Sequence, residues 1–88
     1  MKKIDFKNFR MFKDIEQKDT VLVDARRDFA DLIYRGMNGI VAHDLALRIY
    51  RSEGEVEMNA EEFGICQDIA RSGRPIFYDS FMNNVIDF

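Results

Sequence analysis

One cysteine and one histidine are all that 88 residues offer for thiol or soft-metal chemistry. That scarcity excludes a disulfide framework and a Cys/His zinc cluster within the chain. Proline occurs once and glycine five times, so the collagenous and low-complexity classes do not fit. No apolar run approaches the roughly 18 residues of a membrane-spanning helix. The basic start Met1-Lys2-Lys3 is broken by Asp5, Lys7 and Arg10 before a signal-peptide core can form. A cytoplasmic protein with Cys66 as a free thiol and no membrane partner is therefore expected. A surplus of positive charge is missing as well. Lys and Arg number 13 against 16 Asp and Glu, a net −3, so attraction to polyanions is not the default behaviour.

What is present describes a globular domain. Hydrophobic residues make up 47 % and charged residues 33 % of the chain. The length leaves room for one core, so residues 1–88 form a single domain. A chain this short buries only a little over ~60 % of its unfolded surface, and dense packing has to compensate. Eight Phe and three Tyr supply the bulk. Charge is unevenly spread: residues 1–13 hold Lys2, Lys3, Lys7, Arg10 and Lys13 against Asp5, whereas residues 53–70 hold Glu53, Glu55, Glu57, Glu61, Glu62 and Asp68 with no cation. Such segments are either solvated faces or patches that guide association.

The pattern predicts an α+β fold, an N-terminal β-hairpin or strand pair followed by about four short helices, with helix predominating. Phe9–Phe12 and the β-branched run Thr20–Val23 flank a polar stretch and read as the hairpin. A helix starting near Thr20 is the competing reading, because Leu22, Ala25, Phe29 and Leu32 step by threes and fours. The first helix is expected to start at an Asp24 cap, bury Ala25, Phe29, Leu32 and Ile33, and end at a left-handed Gly36. The second runs from about Ala42 to Ser52 with Leu45, Ala46, Ile49 and Tyr50 inward and Gly54 as its stop. For the third, Asn59 and Glu62 make a capping box and Met58 and Phe63 a hydrophobic staple. Phe63, Cys66, Ile69 and Ala70 face inward before Gly73, and Val56 and Met58 form a short extended lead-in. Pro75 suits the first turn of a fourth helix, in which Phe77 or Tyr78, Phe81, Met82, Val85 and Ile86 continue to a docked tail.

One internal echo stands out. Residues 28–35, Asp-Phe-Ala-Asp-Leu-Ile-Tyr-Arg, align with residues 44–51, Asp-Leu-Ala-Leu-Arg-Ile-Tyr-Arg. Two units are too few for a solenoid, so a pair of similar antiparallel helices is expected, each tyrosine laying its ring on the core with the hydroxyl in water.

Reactive constellations are thin. A His43–Cys66 dyad is disfavoured because Cys66 falls on an inward face, where a thiol acts as a small hydrophobe. The acidic run from Glu53 fails as a calcium loop: Met58 sits where glycine is needed and Gly64 where a bidentate carboxylate is needed. Gly36-Met37-Asn38-Gly39 lacks the Lys-Ser/Thr of a phosphate loop. Arg26, Arg27, Arg35, Arg48 and Arg51 invite a helix-turn-helix reading, yet Asp24, Asp28, Asp31 and Asp44 nearly cancel them, and the second helix offers no Asn or Gln for base edges.

The segments Ala30-Asp31-Leu32-Ile33-Tyr34, Leu45-Ala46-Leu47-Arg48-Ile49-Tyr50 and Val56-Glu57-Met58-Asn59-Ala60-Glu61-Glu62 resemble those of small uncharacterised bacterial and phage-like proteins of unknown function. The resemblance spans about residues 20–85, implies an accessory or mobile-element gene, and carries over no activity and no functional residue. The residues themselves point to a non-enzymatic interaction or assembly domain without cofactor or metal, homo-oligomeric or bound to another protein. Leu47 and Ile65, lying off the helix faces, with Tyr34, Tyr50, Arg35 and Arg51, are the candidate contact residues. A small nucleic-acid-binding regulator using the central arginines is the alternative, with nucleic acid the less favoured partner.

Overall fold

Val56 and Met58 alternate with Glu55 and Glu57, and that period of two becomes a strand with its apolar pair buried and its glutamates in solvent. The computed structural model describes residues 1–88. Strands Lys2–Asp5 (β1), Phe9–Phe12 (β2) and Thr20–Val23 (β3) come first, followed by helices Arg26–Gly36 (α1) and Ile40–Arg51 (α2). Strand Glu55–Met58 (β4), helices Ala60–Arg71 (α3) and Pro75–Asn83 (α4), and the two-residue strand Ile86–Asp87 (β5) complete the chain. The fold is α+β, with half of the residues helical. An antiparallel sheet runs in the order β4-β1-β5, and β2 and β3 form the separate hairpin.

The hairpin lies where its β-branched run placed it, Phe9 opposite Val23 and Phe12 opposite Thr20. The rival helix from Thr20 does not form. Helix α3 starts at Asn59, whose side chain accepts from the Glu62 amide while the Glu62 carboxylate accepts from the Asn59 amide. Its inward residues Phe63, Cys66, Ile69 and Ala70 are all buried. Pro75 occupies the first turn of α4.

Several details differ from the sequence reading. β1 and β5 were not foreseen, and Val56–Met58 is a true strand, Ile4 lying opposite Val56. Val85 and Ile86 do not continue α4. The helix stops at Asn83, and Ile86 pairs with Lys3 instead. Ala25, not Asp24, holds the cap position of α1; the Asp24 carboxylate accepts from the amide of Arg26, the first helical residue. Gly36 closes α1 in helical conformation, and extended Met37 follows. Extended Ser52, two residues before Gly54, ends α2. Leu32 and Tyr50 face solvent rather than the core, and Ala30 is buried in their stead.

The core is aromatic. Phe29 sits among Phe6, Phe9, Phe77 and Phe81, ring centroids 4.9 to 5.7 Å away. Phe6 also ties the sheet to α1, since its carbonyl accepts from the Ala25 amide. The oppositely charged segments meet within one chain. Lys3 contacts Glu55 at 3.2 Å and Lys7 contacts Glu53 at 2.8 Å, while Lys2 contacts Asp87, outside the acidic segment, at 2.9 Å. Hydrogen bonds from Lys2 and Lys7 hold the Asp87 and Glu53 carboxyls below their ordinary range. These pairs are exposed and add little stability. Arg10 and Lys13 of the basic segment, and Glu57, Glu61 and Asp68 of the acidic one, take no part in them.

Candidate interaction surface

Helices α1 and α2 are joined by Met37, Asn38 and Gly39, and Gly39 has a φ of +102°, a conformation that favours glycine. The turn folds the two helices onto each other. Small residues meet at their contact, Ala30 from α1 and Ala46 from α2 both being buried. A shallow groove of about 190 Å³ runs over this contact, lined by Ala30, Asp31, Tyr34, Ala46, Leu47 and Tyr50. All six fall into three pairs sixteen residues apart, so the sequence echo is also a spatial one. Alanines make the floor and tyrosines stand on the sides.

Tyr34 is 66 % and Tyr50 56 % exposed, which corrects the expectation that their rings lie on the core. The Tyr34 ring has the His43 ring 5.9 Å away. Leu47 is half-buried in the groove. Arg35 and Arg51, near the ends of α1 and α2, are exposed and make no ion pair. Ile65 stands apart: it is half-buried and packs against the core from α3. The groove thus unites Tyr34, Tyr50 and Leu47, leaves Arg35 and Arg51 outside its lining, and excludes Ile65.

The other three central arginines are engaged. Arg26 reaches Asp24 at 2.7 Å and the Ser52 carbonyl at 2.6 Å. Arg27 contacts Asp31 at 3.8 Å, and Arg48 contacts Glu62 at 2.7 Å. Each of the three thus has a carboxylate within 4 Å, whereas Arg35 and Arg51 have none.

A second concavity, about 610 Å³, lies between α1 and the α3–α4 junction, where Leu32, Ile76 and Phe77 meet Arg35, Asp28 and Arg74. Leu32 was placed in the core by its period, and Ile76 gave no signal.

Cys66 is sealed on the inner face of α3, with the Met58 sulfur 3.7 Å from its Sγ. Burial pushes its thiol up to about 12, with the nearby Glu62 charge adding to the shift. His43 stays exposed on α2, so the two groups keep opposite environments. A thiol reagent is expected to leave native Cys66 unmodified and to label it only as the chain unfolds. Labelling measured along a urea series should follow the unfolding curve; rapid reaction without denaturant would contradict this burial.

No group of three or more His, Cys, Asp or Glu residues is arranged to hold a metal ion. No helix is long and apolar enough to cross a membrane. Compared with protein-family models, curated proteins and solved structures, the chain matches none of them.

Proposed function

We propose that this chain is a non-enzymatic interaction domain that assembles with a second copy of itself through the α1–α2 face. The observation that carries this reading is the composition of the groove: two matched echo pairs, Ala30/Ala46 and Tyr34/Tyr50, with the two large, exposed aromatic side chains over an alanine floor. A twofold interface needs one surface patch to complement itself, residue i meeting j while j meets i. The matched pairs Ala30/Ala46 and Tyr34/Tyr50 on two neighbouring helices favour that arrangement, because they give the two sides of the patch a like composition. Tyrosines are the residues that supply contact energy at such interfaces. Arg35, Arg51 and Asp31 provide a polar rim.

Sedimentation from micromolar to millimolar concentration tests the reading. Self-association is expected, and the double substitution Tyr34→Ser and Tyr50→Ser should weaken it by at least about 30-fold, the cost of one strong contact residue. A chain that stays monomeric throughout would remove self-association and leave another protein as the partner. Of the five central arginines on which the nucleic-acid alternative rests, only Arg35 and Arg51 are free of carboxylates; a salt-sensitive gel shift would revive it.

A further inference from the structure

Sheet edges expose unpaired amides and carbonyls, and proteins normally cover, shorten or charge them. Three edges of this molecule are treated so. β5 is only two residues long. β4 carries Glu55 and Glu57 in solvent. The outer side of β2 is capped by α4 and the residue that follows it: Asn84 Oδ1 accepts from the Arg10 amide at 3.0 Å, Asn84 Nδ2 donates to the Arg10 carbonyl at 2.9 Å, and Ser80 Oγ accepts from the Phe12 amide at 2.9 Å.

β3 has no such protection. Since Arg10 and Phe12 turn their backbone groups to α4, Met11 and Phe9 bond to Val21 and Val23, and the Lys13 amide bonds to the Asp19 carbonyl in the same register. The backbone groups of Thr20 and Leu22 therefore point to the open side, where no group of the chain meets them. Thr20-Val21-Leu22-Val23 holds no charge and no proline. Val21 is 42 % and Leu22 61 % exposed. β2 is the only element with which β3 makes substantial contact.

We infer that β3 is a pairing edge for β3 of a second copy, antiparallel about a twofold axis through Val21, so that two hairpins join into a four-stranded sheet. The inference rests on the chain being self-assembling and adds a surface separate from the α1–α2 face. Charge selects the occupant and the register. Only Thr20 and Leu22 offer outward groups, so even-numbered residues have to oppose even-numbered ones. With Leu22 opposite Leu22 of the second copy, Lys18 is carried toward that copy's Arg26. With Thr20 opposite Leu22, each Lys18 is carried toward Asp24 of the other copy. The second register exchanges two repulsions for two attractions, one at each end, and brings Val21 face to face with Val21 in a non-hydrogen-bonded pair about 4.5 Å apart at Cα.

Cysteine cross-linking reads that register directly. Under mild oxidation the Val21→Cys variant is expected to form a covalent dimer. The Leu22→Cys variant should do so at least about tenfold more slowly, since its symmetry mates lie beyond the ~7 Å that a disulfide spans. Leu22→Pro removes an outward amide and no bond to β2, an edge position at which proline is tolerated. It should lower association measured by sedimentation, with circular dichroism confirming an unchanged fold. Cross-linking of Leu22→Cys as fast as Val21→Cys would overturn the inference. So would a wild-type assembly that Tyr34→Ser/Tyr50→Ser dissociates while Val21→Cys fails to cross-link, a result that leaves the α1–α2 reading standing. Cross-linking of Val21→Cys together with an assembly indifferent to the tyrosine substitutions would support β3 pairing and reject the α1–α2 face. A monomeric wild type with no cross-link overturns both.

Discussion

Phe29→Ala is expected to cost about 3–5 kcal/mol, the usual range for deleting a core phenylalanine. The high end of that range is the more reasonable one here. Phe29 is fully buried, and four other phenylalanine rings surround it with centroids within 5.7 Å. They come from the β1–β2 connection, β2 and α4, so no single element can close the vacated space by shifting. Offset and edge-on ring contacts add to the loss. A domain of this length has a total stability of roughly 4–13 kcal/mol, so the substitution removes a large share of it. Thermal unfolding should fall by at least about 12 °C, at several degrees per kcal/mol for a domain of this size. Phe88→Ala is the contrasting control: Phe88 is 55 % exposed, and its loss should lie within about 0.5 kcal/mol. Equal effects from the two substitutions, measured by urea unfolding, would show that the core is not centred on Phe29.

The legible parts of this fold are those whose causes lie within a few residues of sequence. Asn59, Glu62, Met58 and Phe63 specify the start of α3 among themselves, and the structure has its start there. The β-branched Thr20–Val23 run marks β3 in the same local way. β1 and β5 were hidden for the opposite reason. Lys-Lys-Ile-Asp contains one apolar residue and shows no alternation, and Ile86–Asp87 becomes a strand only by meeting Lys2 and Lys3 from the other end of the chain. Helical period located α1 and α2 but not their rotation. The contact closes on alanines, so Ala30 goes in while Leu32 and Tyr50, near the edge of the apolar arc, stay out. Of the candidate contact residues, Tyr34 and Tyr50 repeat in sequence and share one groove in space, and Leu47, chosen because it lies off the helix face, lines the same groove. Ile65 lies outside that groove because α3 has neighbours on several sides, and a residue off its main face still packs against the core. The composition of β3 was visible from the start. Its open edge was not, because that depends on α4 covering the far side of β2.

Ser80 and Asn84 perform that covering, and their removal should reveal how much the hairpin depends on it. Ser80 is the one fully buried polar residue, and its hydroxyl is the acceptor for the Phe12 amide. Ser80→Ala leaves that amide in an apolar setting without a partner, a loss of about 1–3 kcal/mol. Asn84 engages both backbone groups of Arg10 and also donates to the Ser80 carbonyl at 2.6 Å. Water can reach Arg10, so Asn84→Ala should cost less, about 1 kcal/mol. The two residues share one network, and their effects should not add. Once Asn84 is gone, the end of α4 can shift and the Ser80 contact is already weakened, which makes the double variant less unstable than the sum of the singles. Hydrogen exchange locates the damage: the Phe12 amide should lose protection in Ser80→Ala and the Arg10 amide in Asn84→Ala, while amides in α2 exchange only through global unfolding. Strict additivity, or unchanged protection at Phe12 and Arg10, would mean that packing of Phe12 and Phe81 alone seats the hairpin. In that case the side chains of α4 would not be acting as a substitute strand, and the contrast between a covered β2 and an uncovered β3 would lose its physical basis.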